Sequence, residues 1–176
     1  TDSSDLDICN SNQLDVFFIE NKINMVINCA AYTAVDKAEQ DAEIAQKVNS
    51  EGVQNLVNLV AKVNGKLIHI STDYVFDGNR FLPYQELDDV NPIGVYGNTK
   101  RSGELAVINS DIDGIVIRTS WLYSAYGNNF VKTMLRLGNE RDELGVIFDQ
   151  VGTPTNASDL AKTCLDILSY NTQSKM

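Results

Sequence analysis

A tyrosine and a lysine stand four residues apart in YGNTK, residues 96–100. On a helix, positions i and i+4 share a face, so Tyr96 and Lys100 would project side by side. A free phenol has a pKa near 10 and keeps its proton at pH 7. A neighbouring ammonium favours the phenolate and lowers that value. Such a phenol suits proton delivery to a carbonyl oxygen that is becoming an alkoxide. A hydroxyl alongside, such as that of Thr72, would give the same oxygen a second hydrogen bond. No side chain supplies hydride, so the set calls for a nicotinamide cofactor. The spacing alone is weak evidence. Seven Tyr and nine Lys in 176 residues give about 0.36 matches by chance. The surrounding elements have to decide.

Short apolar runs read as strands at residues 24–30, 66–71, 114–120 and 144–148. They are nearly continuous rather than alternating, as in strands covered on both faces. Helical patterns lie at 13–22, about 41–63, about 95–108, 130–137 and 158–168. In the second of these, Val53, Leu56, Val57 and Val60 recur at i, i+3, i+4 and i+7. Strand and helix in alternation predict βαβ units and a parallel α/β sheet. Right-handed crossovers put the strand C-termini on one edge, where ligands bind in such sheets. Thr72 closes one strand, Tyr96 and Lys100 open the next helix, and Trp121 follows a third strand. The long stretch 72–94 carries four aromatics, which argues for an ordered, functional loop.

The composition, 43% hydrophobic and 22% charged, fits an ordinary globular domain. A net charge of −10 disfavours nucleic acid and anionic membranes as partners. No apolar run approaches a membrane span, and TDSSDLDI lacks the pattern of a signal peptide. Cys9, Cys29 and Cys164 are widely spaced and odd in number. They read as reduced thiols in a cytoplasmic protein, with no metal site. His69, mid-strand, reads as a structural histidine, and Glu86–Asp89 as a solvated acidic loop. Phe76, Phe81 and Tyr84 read as loop anchors, and Asn156-Ala157-Ser158 as a polar turn entering a helix.

The motifs NCAAYTAVDKAE (28–39), STDYVFDG (71–78), VYGNTKRSGE (95–104), RTSWLY (118–123) and GNNFVKTMLRL (127–137) occur in this order. Together they resemble the extended short-chain dehydrogenase/reductase family, from about Asp7 to about Leu168. The resemblance implies a Rossmann-like, doubly wound parallel sheet. It implies that residues 1–123 form a partial dinucleotide-binding domain. Residues 124–176 would be a mixed segment, part substrate domain and part returning Rossmann elements. By the same resemblance Thr72, Tyr96 and Lys100 are the catalytic set. Asp7, Ile8, Ala31, Tyr32 and Thr33 would line NADPH or NADH, with Tyr96 and Lys100 also touching the cofactor. Thr72, Asp73 and Trp121 would contact the substrate, and Asn49 would support the site from a neighbouring helix. The implied reaction is reduction of the C4 keto group of dTDP-4-dehydro-L-rhamnose to dTDP-L-rhamnose. Tyr74 stands where dehydratases of the family carry an acidic residue, which favours simple reduction. Magnesium dependence and a homodimer are left open.

The family's opening strand and glycine-rich turn are not found in this sequence, so the first βαβ unit is expected to be incomplete. The chain reads as an internal fragment of a longer protein, expected to bind cofactor poorly by itself. Two other functions compete: a reductase-like regulatory subunit without activity, and a reductase or epimerase of another sugar nucleotide. The intact Thr72, Tyr96 and Lys100 argue against the first.

Overall fold

A computed structural model describes residues 2–169. They divide into two compact units, one ending at Arg118 and the other Thr119–Ser169.

In the first unit, α1 (Ser11–Asn21) starts where the Asn10 side chain accepts the Gln13 N–H at 3.1 Å. It stops at Lys22, which takes the left-handed conformation with φ 50°. β1 (Met25–Asn28) leads through an irregular segment to α2 (Val35–Ala38) and α3 (Ala42–Gln46). A π-helical turn, Lys47–Glu51, joins α3 to α4 (Gly52–Lys62). Then come β2 (Lys66–Thr72), a 3₁₀ turn (Asp73–Val75), α5 (Val95–Ile108) and β3 (Asp113–Thr119). The sheet order is β1-β2-β3; β1 and β2 are parallel, with Asn28 opposite His69. One continuous core joins Leu14 and Phe18 of α1, the α4 stripe, Leu67, Val107, Ile112 and Val116. The α4 stripe contains the four valines and leucines singled out by their spacing, all buried.

The loop after Thr72 is ordered from within. Phe76 is buried and stacks on Tyr84, with centroids 4.1 Å apart and planes at 7°. The Tyr84 hydroxyl donates to Asp77 Oδ1 at 2.9 Å, and Arg80 pairs with Asp88. Phe81, in contrast, is fully exposed and anchors nothing. The reason is local: the two rings that do anchor are fastened by Asp77 and by Arg118 beneath Phe76.

In the second unit, β4 (Leu122–Tyr123) pairs in parallel with β5 (Thr155–Asn156). α6 (Phe130–Glu140) and α7 (Ala157–Leu168) complete it. Asn156 caps α7, its side chain accepting the Ser158 N–H at 2.8 Å. Residues 144–148, expected as a strand, form none, and Val146, Ile147 and Phe148 are exposed. A β-branched run becomes a strand only where another strand takes its hydrogen bonds. None does so here among the described residues. No helix among the described residues is long and apolar enough to cross a membrane. Among the described residues Cys9, Cys29 and Cys164 form no disulfide.

Candidate active site

β2 ends at Thr72, and the chain turns at once into Asp73–Val75. Thr72 Oγ1 accepts the Tyr74 N–H at 3.1 Å and donates to Asp73 Oδ1 at 3.1 Å. α5 opens at Val95, which puts Tyr96 in its first turn and Lys100 one turn further on. A Cβ on Gly97 would run into the Tyr74 carbonyl and lie 3.0 Å from Pro92 Cβ. Glycine at 97 therefore lets α5 close against the 3₁₀ turn. The Tyr74 ring meets the Tyr96 ring edge-on, centroids 5.5 Å apart and planes at 77°. Lys100 is 2% exposed, and its Nζ donates to the Ile70 carbonyl at 2.6 Å. Thr72, Asp73, Tyr74, Tyr96 and Lys100 thus gather at the end of β2.

The electrostatics differ from the sequence-based expectation in one respect. Lys100 was expected to lower the Tyr96 pKa. Instead burial pushes the phenol above its usual value, with Asp73 and Tyr74 adding to the rise and the Thr72 hydroxyl opposing it. The ammonium is occupied elsewhere, at the Ile70 carbonyl. Its own charge is weakened by burial, which brings Lys100 down to about 8, against the opposing pull of Glu104. A phenol held in this way keeps its proton at neutral pH, which is what a proton donor requires. Burial also raises Asp73, while bonds from Thr72 and the turn backbone oppose the rise.

Asn49 lies in the π turn and has no exposed surface. Its Oδ1 accepts the Tyr32 N–H at 2.8 Å, and its Nδ2 donates to the Tyr32 carbonyl at 3.2 Å and Thr99 Oγ1 at 3.2 Å. Thr99 Oγ1 donates onward to the Tyr96 carbonyl at 3.0 Å. π turns concentrate at functional sites because they re-aim a side chain. This one aims an amide at the segment after β1. The bracket fixes Tyr32 and leaves Ala31 and Thr33 without protein hydrogen-bond partners among the described residues. Lys100 Nζ uses one of its three donors. Backbone groups of this kind, and an ammonium with two remaining donors, are groups that could hold the amide and ribose of a nicotinamide cofactor. Asp7 is tied locally, its Oδ1 accepting the Cys9 N–H at 2.9 Å. Ile8 packs so closely on Gly52 that a Cβ there would lie 2.7 Å from Ile8 Cδ1.

Trp121 belongs to the second unit. Its φ is 48°, unusual for a bulky side chain, and the residue is 41% exposed. A Cβ on Gly152 would run into the indole, so only glycine lets the chain approach it there, and Phe130 flanks the ring with centroids 5.5 Å apart. Strained backbone of this kind concentrates at ligand sites.

Three side chains at the site carry no signal in the sequence that singles them out. Glu39 Oε1 accepts the Val95 N–H, at the start of α5, at 2.7 Å. Glu104, fully buried, takes both Arg118 and Arg101. Glu39 and Val95 are 56 residues apart and Glu104 and Arg118 are 14 apart, so these pairs leave no local pattern; only Arg101 and Glu104 are neighbours on one helix. The absence of a capping side chain at Gly94 is the one hint that α5 is capped from elsewhere. His69 is buried, with Nδ1 3.1 Å from Asn28 Nδ2. Asn28 Oδ1 accepts the Ala30 N–H, so Nδ2 is the group facing the ring and the proton sits on His69 Nε2. Among the described residues no group of three His, Cys, Asp or Glu side chains is placed to hold a metal.

Known proteins are similar to this chain in sequence and in fold. The dTDP-4-dehydrorhamnose reductase of Aggregatibacter actinomycetemcomitans is 45% identical over 166 residues, 94% of this chain and 56% of that protein. That of Sinorhizobium fredii (strain NBRC 101917 / NGR234) is 49% identical over 144 residues, 82% of this chain and 49% of that protein. The chain therefore spans about half the length of these relatives. The crystal structure of a dTDP-4-dehydrorhamnose reductase from Bacillus anthracis str. Ames in complex with NADP superposes with a TM-score of 0.93. It is 42% identical, and the match covers 97% of this chain and 61% of that one. The α/β, Rossmann-like reading of the sequence is met. Since the family match runs over residues 1–176, the chain belongs to the RmlD substrate binding domain family.

Proposed function

We propose that this chain serves in NADPH-dependent reduction of the C4 keto group of dTDP-4-dehydro-L-rhamnose, giving dTDP-L-rhamnose for surface polysaccharide. The observation that carries the reading is geometric: the Thr72 hydroxyl at the end of β2, the Tyr96 phenol in the first turn of α5 and the buried Lys100 ammonium one turn further on. The relatives' names and the NADP complex support it.

In this reading Tyr96 delivers its proton to the C4 oxygen. The Thr72 hydrogen swings from Asp73 Oδ1 to the same oxygen, a rotation open to any hydroxyl. When bound, the reduced nicotinamide supplies the hydride that reaches C4. Lys100, charged at pH 7, holds ribose hydroxyls with its two remaining donors. Ala31, Tyr32 and Thr33 line the nicotinamide half, and Asp7 and Ile8 the adenosine end. Asp73 accepts from a sugar hydroxyl, and Trp121 offers its face to the sugar nucleotide. Tyr74 leaves no carboxyl for elimination beside Asp73, which separates reduction from dehydration. Residues 1–123 supply most of the cofactor site, and residues 124–176 are part substrate domain and part returning Rossmann elements. In this reading the reaction is cytoplasmic.

The test follows cofactor absorbance in the full-length protein with dTDP-4-dehydro-L-rhamnose. Wild type consumes NADPH, and Tyr96→Phe loses at least about 100-fold in kcat. No NADPH consumption by wild type sinks the reading; full activity in Tyr96→Phe removes Tyr96 from it.

A further inference from the structure

The first N–H groups of a helix have no partner within it, and a side chain at the N-cap usually takes one. α5 begins at Gly94, which has no side chain to offer. Its first N–H, that of Val95, donates instead to Glu39 Oε1 at 2.7 Å, from 56 residues away. The contact is fitted on both sides. A Cβ on Gly94 would come to 3.0 Å from Glu39 Oε1, so glycine clears the way for the carboxylate. The positive end of the helix dipole favours a negative group at this place. Asn98 Nδ2 ties the same corner from inside, donating to the Gly94 carbonyl at 2.9 Å and the Pro92 carbonyl at 3.3 Å.

The position of Glu39 gives the cap its meaning. It closes α2, which follows directly on the Ala31–Thr33 segment. The residue after Val95 is Tyr96. One carboxylate therefore joins the segment after β1 to the turn that carries the phenol. Asn49 makes a second tie between the same two elements one turn deeper, through Tyr32 and Thr99.

We infer that Glu39 is a positioning residue, which sets the first turn of α5 and with it the place of the Tyr96 phenol. The inference rests on the reductase reading proposed above. It assigns Glu39 no contact with substrate or cofactor. A misplaced phenol slows proton delivery without weakening binding, so the loss belongs in kcat rather than KM.

The test uses the full-length protein and four variants: Glu39→Ala, Glu39→Gln, Gly94→Ser and the double variant Glu39→Ala/Gly94→Ser. Gly94 has φ −120° and ψ 167°, a conformation suited to a serine cap. In Glu39→Ala, kcat falls about tenfold while KM for both substrates stays within about twofold. Amide exchange of Val95 and Tyr96 becomes faster. Glu39→Gln keeps an acceptor and recovers most of the rate. Gly94→Ser alone crowds the carboxylate and lowers kcat. In the double variant the serine caps the turn itself, restoring kcat and slowing exchange at Tyr96 and Gly97.

Unchanged kcat together with unchanged exchange in Glu39→Ala overturns the inference. So does a loss confined to the KM for cofactor, or a loss that the serine does not repair. If wild type shows no reductase activity, the function reading falls, yet exchange still judges the cap. Faster exchange repaired by Gly94→Ser upholds the cap, and exchange that never changes overturns it.

Discussion

Arg118 grips Glu104 with two parallel hydrogen bonds, Nε to Oε1 at 2.8 Å and Nη2 to Oε2 at 2.7 Å. Arg101 adds a third, at 2.8 Å to Oε2. The guanidinium of Arg118 also lies over the Phe76 ring, 5.0 Å from its centroid, and reaches the Glu86 carbonyl at 3.4 Å. A buried carboxylate on α5 thus fastens β3 and, through Arg118, the loop after Thr72. Removing one partner of a buried pair leaves the other charge uncompensated, at a cost of about 3–5 kcal/mol. Glu104→Gln is expected to lose stability on that scale in urea denaturation at pH 7, and Glu104→Asp less. Near-wild-type stability in Glu104→Gln would show that the pair is not a brace. Burial alone would raise the Glu104 pKa, but Arg118, Ser71 and Arg101 outweigh it and hold it below the usual value of 4.5. The stability from this ionised group is therefore complete above about pH 4.5 and is lost as the pH falls below it.

His69 gives a second acid-side effect at a higher pH. Burial, with the Lys100 charge adding, brings it from 6.5 down to about 3. The unfolded chain takes up a proton below pH 6.5, whereas the folded chain stays neutral until about pH 3. Stability is therefore complete above pH 6.5 and falls as the pH drops toward 3, by up to about 1.4 kcal/mol per pH unit. Denaturation series between pH 4 and 8 on wild type and His69→Gln check this. The variant should give a flatter line across pH 5–6.5; parallel lines would exclude His69 as the source.

Lys100 governs the alkaline side of activity. At about 8 it loses its charge well before Tyr96, whose phenol lies above its usual value. In the reductase reading, kcat/KM should decline above about pH 8 as the ammonium is lost. Lys100→Arg, which cannot deprotonate in this range, should show a lower plateau without that decline. An unchanged alkaline limb in Lys100→Arg would assign it to another group.

Gly97 gives a steric prediction. A Cβ at this position runs into the Tyr74 carbonyl, which is backbone and cannot swing aside. Gly97→Ala should cost about 1–3 kcal/mol and push α5 away from the Asp73–Val75 turn. Separation of Tyr96 from Thr72 should then lower kcat more than it raises KM. Wild-type melting temperature and kcat in Gly97→Ala would refute the close approach.

These residues also show what the sequence could and could not disclose. β2 was visible as an apolar run because a strand buried on both faces needs no periodicity beyond apolarity; β1 and β3, only partly buried, were visible through their β-branched residues. Residues 144–148 have the same composition and form no strand, since pairing depends on a neighbour that the run itself does not encode. The α4 stripe was legible from Val53 onward. The closeness of Thr72, Tyr96 and Lys100 followed from chain direction and strand ends. The direction of the Tyr96 shift did not, because it turns on where Nζ of Lys100 points and how deeply the phenol is buried. Glu39, Glu104 and Arg118 owe their places to contacts between distant segments, and composition is silent on those.

The π turn at Lys47–Glu51 has a consequence for how this helix tolerates length changes. The wider turn holds one residue more than α-helical winding would use, so α3 and α4 are out of phase across it by about 100°. Deleting any one of its five residues would let the winding run through uninterrupted. Asn49, or whatever residue replaced it, would swing off Tyr32, while the buried stripe of α4 kept its seat only if α3 rotated instead. Single-residue deletions here should therefore behave as rotations of one half-helix against the other, and natural length variation should fall outside this turn.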